Sequence, residues 1–427
     1  MAVDLLIHGI GELATPHLES VPAHGKLMGK VHRIKNAAVA VSGGKIVSVG
    51  SETDVLAKYG DAIEKIDARG RLVTPGLVDP HTHLIFAGNR ADEFVLRCQG
   101  KTYKEIAEAG GGIVASMRAT RNASVDELVS LGRHRLGKML ESGTTTCEVK
   151  TGYGLSVDSE LRMFEAIYQL NESQPLQLVP TFMAAHAFPS DRKREEYIDD
   201  VIERMLPLVS ERISRSSANG SGKVFLDVFC DQGYFTLDET KRILEAGIKF
   251  GLIPKVHSDE FANLGATTLA VNLKAQSADH LLNVSDAEID LLAKSNTVAI
   301  LLPGTSFFLN LNHHARARRM IDSGVAVALG SDFNPGSCHI YSLPFIWGLA
   351  CLKLKMTSEE ALTALTANAA QAIGLGDKVG QIRDGYQADL LIFDLGSISE
   401  VPYNLASNPV ALTIKRGIVV FEKKEIA

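Results

Sequence analysis

Thr74-Pro-Gly-Leu-Val-Asp-Pro-His-Thr-His83 is the stretch on which the reading of this chain turns. Pro75, Gly76 and Pro80 punctuate it, which predicts a short buried strand rather than a helix. Side chains two apart on a strand point to the same face, so His81 and His83 can converge on one ion. A His-x-His pair alone is a weak signal. It gains weight only if further ligands arrive from the ends of other strands.

Short apolar runs do recur downstream, at Thr144–Lys150, Leu176–Met183, Val224–Cys230, Leu252–His257, Ser277–Leu281, Thr297–Leu302 and Val325–Asp332. With the segment at His81 they make eight. Between them lie helix patterns opened by Ser or Thr with Glu three residues on: Thr102/Glu105, Ser124/Glu127, Thr236/Glu239, Ser285/Glu288 and Thr357/Glu360. Each is a capping box, in which side chain and backbone satisfy each other's free N–H groups. Eight strand–helix alternations over about 300 residues predict an α/β fold, a (β/α)8 TIM-like barrel with insertions, somewhat longer than the ~250 residues typical of it. A doubly wound sheet is disfavoured because no Gly-x-Gly-x-x-Gly follows an early strand. Gly110-Gly-Gly follows a helix and reads as a lid near the barrel mouth or a plain flexible loop. Ser214–Gly222 reads as a solvated surface loop, and Ser210–Gly222 as a tolerated insertion.

Both ends of the chain are β-rich. Ala37–Ser42, Gly43-Gly44 and Lys45–Val49 form a predicted hairpin, Ala388–Leu395 a strand, and Leu412–Lys415 with Ile418–Phe421 a second hairpin across Arg416-Gly417. The expected organisation is a small β-sandwich built from residues 1–73 plus 372–427, flanking a catalytic barrel of residues 74–371.

The 427 residues carry a formal charge of −6, with basic residues scattered, which argues against a nucleic-acid or anionic-membrane partner. No apolar run reaches membrane-spanning length, and the N-terminus lacks a signal-peptide pattern. Five cysteines without a Cys-x-x-Cys pair predict reduced thiols in a cytoplasmic protein.

Catalytic groups of such a barrel sit at the C-terminal ends of its strands. Those ends hold His81 and His83, Glu148 to Tyr153, His186, His257 with Glu260, His280 and Asp332. A lone histidine at such a place is more often structural, and His186 or His280 alone would be read so. Three His and one Asp aimed at one mouth are another matter: that donor set suits zinc or iron. Such an ion activates water near neutral pH and polarises a carbonyl. His8, His17, His24, His32 and His134 read as structural, and His313-His314 as the start of a basic surface helix.

The pattern Pro-Gly-Leu-Val-Asp-Pro-His-Thr-His with His257, His280 and Gly-Ser-Asp332 resembles the amidohydrolase superfamily. Its finer motifs are His83-Leu-Ile-Phe-Ala-Gly-Asn-Arg90, Glu148-Val-Lys-Thr-Gly-Tyr-Gly-Leu, Ala184-Ala-His186-Ala-Phe-Pro, His257-Ser-Asp-Glu260 and Asp332-Phe-Asn-Pro-Gly-Ser337. Together they resemble the branch that opens 4-imidazolone-5-propanoate to N-formimino-L-glutamate in histidine degradation, and the likeness covers almost the whole chain. The resemblance implies metal ligands at His81, His83, His257 and Asp332. It implies substrate contacts at Arg90, Tyr153, His186, Glu260, Asn334, Gly336 and Ser337, and a homodimer. A propionate-bearing substrate wants a guanidinium fork, which suits Arg90. Without its motif, Arg90 would read as a surface salt bridge, Tyr153 as an aromatic plug and Asn334-Pro-Gly-Ser as an ordinary turn.

In the implied chemistry water attacks the ring carbonyl, with Glu260, His280 or Asp332 as the base. His186 would polarise the carbonyl and His280 relay the proton. Carbamylated lysines that bridge two ions in related barrels sit on the fourth strand. The fourth run here has no lysine, so Lys150 leaves the expectation at one metal ion, zinc or iron. The rivals are a cytosine- or guanine-type deaminase of the same superfamily, and a scaffold that has lost its metal.

Overall fold

A computed structural model describes residues 3–101, 105, 111–216 and 223–424. β1 (Leu5–Pro16), β2 (Val31–Ser42) and β3 (Lys45–Ser51) form an antiparallel meander that turns at Gly43-Gly44. β4 (Glu64–Asp67) and β5 (Leu72–Pro75) lie parallel to β1, one beside each half of it.

Past β5 and the single residue Gly76, the chain enters the second sheet at Leu77. Here β6 (Leu77–Asp79), β7 (Thr144–Lys150), β8 (Gln177–Ala185), β9 (Phe225–Cys230), β10 (Ile253–Ser258), β11 (Ser277–His280), β12 (Val298–Leu301) and β13 (Val327–Leu329) pair in sequence order, all parallel. The chain then returns to the first sheet through β14 (Leu390–Phe393), which pairs with β5, followed by β15 (Val410–Lys415) and β16 (Ile418–Glu422). The terminal sheet folds around its own core, in which Leu5, Ile7 and Val39 meet Leu390, Ile392 and Ile414. A bridge between Lys45, at the start of β3, and Gln387, ahead of β14, ties its N-terminal and C-terminal parts together.

β7 and β9 are buried at every position, as expected of strands with helices outside and a packed lumen within. Four capping boxes form at Ser124, Thr236, Ser285 and Thr357; Thr102 lies outside the described residues. The helices they open, such as Val125–Glu141 and Leu237–Lys249, cover the barrel with their apolar stripes.

Three expectations need correction. β6 ends at Asp79, so His81 and His83 lie beyond the strand and not within it. They stay extended because their segment pairs with the chain after β13: Thr82 bridges Phe333, the Asp332 N–H donates to the His81 carbonyl at 3.0 Å, and the His83 N–H to that of Phe333 at 2.9 Å. The barrel ring is therefore completed at the site itself. Ser214 to Ser216 end a helix, Leu206–Ser216, and do not begin a loop, and Ser210 within that helix donates to the Phe250 carbonyl. His313 and His314 precede the helix Ala317–Asp322 and do not open it. Among the described residues no helix is long and apolar enough to cross a membrane.

Candidate active site

Two imidazoles of the centre have Nδ1 atoms held from below. His81 Nδ1 lies 2.6 Å from Asp279 Oδ2, and His257 Nδ1 lies 2.9 Å from Asp227 Oδ2. An ionised carboxylate only accepts, so each Nδ1 carries the proton and each Nε2 presents its lone pair. The Nε2 atoms converge: His257 Nε2 is 3.3 Å from His83 Nε2, and Asp332 Oδ1 is 3.5 Å from His81 Nε2 and 3.7 Å from His83 Nε2. One ligand atom from each of His81, His83 and His257 lies within 4.8 Å of the others, as do those of His81, His280 and Asp332. His81 Nε2 is buried without a hydrogen-bond partner. Bare nitrogens packed this closely around one point, with a carboxylate beside them, fit a metal ion. Burial, aided by neighbouring cationic groups, holds the rings of His81, His83 and His280 well below the usual imidazole range, so they are neutral and ready to ligate.

Asp332 is held in the left-handed region at φ 52°, and His280 at φ 78°, conformations that non-glycine residues rarely adopt and that gather at functional sites. Thr305 Oγ1 donates to Asp332 Oδ2 at 2.5 Å, leaving Oδ1 toward the imidazoles. Burial pushes the Asp332 carboxyl up to about 6.

Above the centre opens a cavity of about 560 Å³, lined by His83, His257, His280 and Asp332. Arg90, Tyr153, His186, Glu260, Asn334, Gly336 and Ser337 all line it as well; His81 lies beneath, fully buried. A larger cavity of about 770 Å³, beside Gln177 and Lys415, has no histidine in its wall.

Each wall group has a visible reason for its place. Glu260 rides on a loop whose N–H groups at Glu260, Phe261 and Ala262 all donate to Asp231. Its Oε2 stands 3.5 Å from His280 Nδ1, and neither ring nitrogen of His280 makes a hydrogen bond. Burial, then the negative charges of Asp332 and Asp231, pushes the Glu260 carboxyl well above the usual range. The Tyr153 loop is tied by Glu160, whose carboxylate accepts from the N–H groups of Gly152, Gly154 and Leu155. Gly152 sits at φ 111°, and a Cβ there would fall 2.9 Å from His186 Nδ1. His186 Nδ1 is 3.1 Å from the Gly152 carbonyl. A carbonyl accepts only, so Nδ1 bears the proton and Nε2 an unshared pair; burial pushes the ring down to about 3.

Arg90 Nε and Nη2 both bind Glu93 Oε2, at 2.8 and 2.7 Å, and Glu93 Oε1 accepts from the Gly112 N–H at 3.0 Å. Gly110, where the sequence reads as a lid or a plain flexible loop, lies outside the described residues. The free edge of Arg90 faces Gly336, where any Cβ would lie 1.9 Å from Nη1. Only glycine lets the backbone approach the guanidinium this closely. The Asn334 carboxamide is spent on its own turn: Oδ1 accepts from the Gly336 and Ser337 N–H groups at 2.8 and 2.7 Å, and Nδ2 donates to the Asp332 carbonyl and to Ser337 Oγ.

Reading the strands for histidines missed the carboxylates that orient them. Asp227 and Asp279 had a signal, an acidic residue inside an apolar strand run. Glu93, Asp231 and Glu160 had none that distinguishes them from surface acids. Arg135 donates to the Leu84 and Phe86 carbonyls and stacks 3.5 Å over the Phe86 ring, fixing the segment after His83.

A parallel eight-stranded barrel with neutral histidines and a carboxylate at its C-terminal mouth defines the class of metal-dependent barrel hydrolases. The amidohydrolase family model matches residues 72–420. The imidazolonepropionase of Symbiobacterium thermophilum is 47% identical over 99% of both chains, and that of Chloroflexus aggregans 49% identical over 98% of both. Solved structures share the fold at low identity. A zinc-bound adenosine deaminase from Xanthomonas campestris has a TM-score of 0.70 at 17% identity, covering 98% of this chain and 93% of its own. The guanine deaminase of E. coli has 0.71 at 16%, covering 99% and 100%. The chain belongs to the amidohydrolase family, among its imidazolonepropionases.

Proposed function

We propose that the chain opens the ring of 4-imidazolone-5-propanoate by hydrolysis, giving N-formimino-L-glutamate, in histidine degradation. The observation that carries this reading is one cavity joining the histidine–aspartate centre to the Arg90 guanidinium. The centre suits an amide carbonyl, and the guanidinium suits a carboxylate borne at a distance from it. His81, His83, His257 and Asp332 would hold one ion, zinc or iron, since imidazole and carboxylate serve both. When bound, such an ion supplies water activation and carbonyl polarisation.

The chain's own groups do the rest. Glu260, with its raised carboxyl beside His280, takes a proton from the attacking water as the oxygen adds to the ring carbonyl carbon. The ring C–N bond then breaks, and Glu260 returns that proton to the departing nitrogen. His280, whose Nδ1 stands 3.5 Å from Glu260 Oε2, is placed to relay that proton. His186 takes a different part from the carbonyl polariser expected of it: with Nδ1–H spent on Gly152, Nε2 accepts a ring N–H of the substrate. Tyr153 packs edge-on to His83 and His186 and closes that wall. Gly336 and Ser337, shaped by Asn334, flank the carboxylate at Arg90. We take the enzyme to act in the cytoplasm, as its unpaired cysteines suggest, and as a homodimer, as the resemblance implies.

The test follows loss of imidazolonepropionate absorbance in purified protein with and without a chelator, measuring bound zinc and iron in parallel. Turnover that tracks metal content is expected; full turnover in metal-free protein overturns the assignment. Ammonia release from a nucleobase in the same preparation would instead mark the deaminase alternative, which has no use for Arg90. Arg90→Ala should raise KM roughly 10- to 100-fold with little change in kcat, since a hydrogen bond to a charged group is worth about 1.5–3 kcal/mol. An unchanged KM would remove Arg90 from the substrate site.

A further inference from the structure

Beneath the imidazoles lies a closed cluster of charge that the hydrolysis does not use. Lys150 ends β7, Lys255 sits on β10, and with Glu148, Asp227 and Asp279 they have no solvent exposure. Lys150 Nζ is 2.7 Å from Asp227 Oδ2 and 2.7 Å from Glu148 Oε2, and 3.7 Å from Asp279 Oδ2. Lys255 Nζ binds Glu148 Oε1 at 2.7 Å and the Pro80 carbonyl at 3.1 Å, directly before His81. The two oxygens nearest Lys150 on the aspartates are the same ones that accept from His257 Nδ1 and His81 Nδ1. One ammonium therefore stands between the orienting carboxylates of two separate imidazoles.

We propose that Lys150 is a positioning residue for metal binding: its ammonium holds Asp227 and Asp279 where they keep His257 and His81 turned with Nδ1–H inward and Nε2 toward a common point. The assignment rests on the metal reading of the site given above. Three buried carboxylates around two imidazoles would otherwise repel one another and swing apart, and unpaired buried charge is strongly disfavoured. Lys255, tied to Glu148 and to the backbone before His81, steadies the outer side of the same cluster. No group of this cluster lines the substrate cavity, so its influence on substrate runs through the ligands alone. Outer partners of metal-bound histidine ordinarily govern affinity in this manner, through ring orientation. Here one cation faces the orienting partners of two ligands, one on the segment after the first barrel strand, β6, and one on the fifth, β10; Lys255 Nζ, 3.8 Å from Asp279 Oδ2, adds a second cation's hold on that carboxylate.

The experiment measures metal dissociation constants by chelator competition for the parent, Lys150→Met and the charge-balanced pair Lys150→Met with Glu148→Gln. The pair removes one charge of each sign and keeps the assay open if the single variant does not fold. Cobalt(II) is loaded in parallel, because its visible absorption reports ligand geometry and a general loss of stability does not alter it in folded protein. The expected result is metal binding weakened about 10- to 100-fold, with a shifted cobalt spectrum, in variants whose far-ultraviolet circular dichroism matches the parent. A folded variant with the parent's dissociation constant and cobalt spectrum overturns the proposal. Parent protein that takes up no metal overturns the reading of the site itself, so the two failures are distinguishable.

Discussion

His257→Ala should leave a folded barrel that neither retains metal nor turns over substrate. The imidazole stands at the middle of the centre, with Nε2 3.3 Å from His83 Nε2 and Nδ1 on Asp227. Removing it takes one of three close nitrogens and opens the point on which they converge. The loss of affinity should exceed the roughly 10- to 100-fold that removal of an outer partner costs, so metal should no longer survive purification. Asp227 keeps its Lys150 ion pair at 2.7 Å, and the variant is not left with a wholly unpaired buried carboxylate. Metal analysis and steady-state kinetics on the same sample check this. Loss of metal with normal turnover would end the metal-hydrolase reading, and full metal retention would remove His257 from the ligand set.

Glu260→Gln should separate chemistry from metal binding. The amide keeps the volume of the side chain, and the three N–H groups on Asp231 that fix the loop are untouched. What disappears is the carboxyl proposed to carry the proton, which burial and two neighbouring acids hold well above the usual carboxylate range. A positioned proton carrier contributes about 10²- to 10⁴-fold, and kcat should fall by that range while metal content stays at the parent level. A kcat within about tenfold of the parent, short of that range, would transfer the role to His280 or Asp332. If metal content fell as well, Glu260 would have to be counted with the ligands.

Much of this architecture was readable from local pattern. Barrel strands appear as apolar runs because both of their faces are buried, and β7 spans the very run Thr144–Lys150. Helix starts appear because a capping box is a contact between residues three apart, complete within one turn. The same holds for ligand type: His-x-His, His257, His280 and Gly-Ser-Asp332 sit at strand ends, and strand ends are visible as the close of an apolar run. The terminal hairpins followed from their glycine turns. Where local pattern misled, a tertiary contact had intervened. His81 and His83 looked like strand residues, yet their extended shape comes from pairing with Asp332 and Phe333, some 250 positions away in the chain.

By itself, then, the sequence determined the alternation that makes a barrel, the kind of donor at its mouth and the guanidinium that suits a carboxylate. Only the tertiary structure decided how those groups are aimed. Asp279 reaches His81 across 198 positions, and Lys255 reaches Glu148 across 107. His186 presents a lone pair because of Gly152, 34 residues earlier. Periodicity carries information about neighbours three or four residues apart, and closing a barrel brings together side chains with no such relation. Buried charge must find its partners there, and such partners set which nitrogen of His81 and of His257 is turned toward the centre.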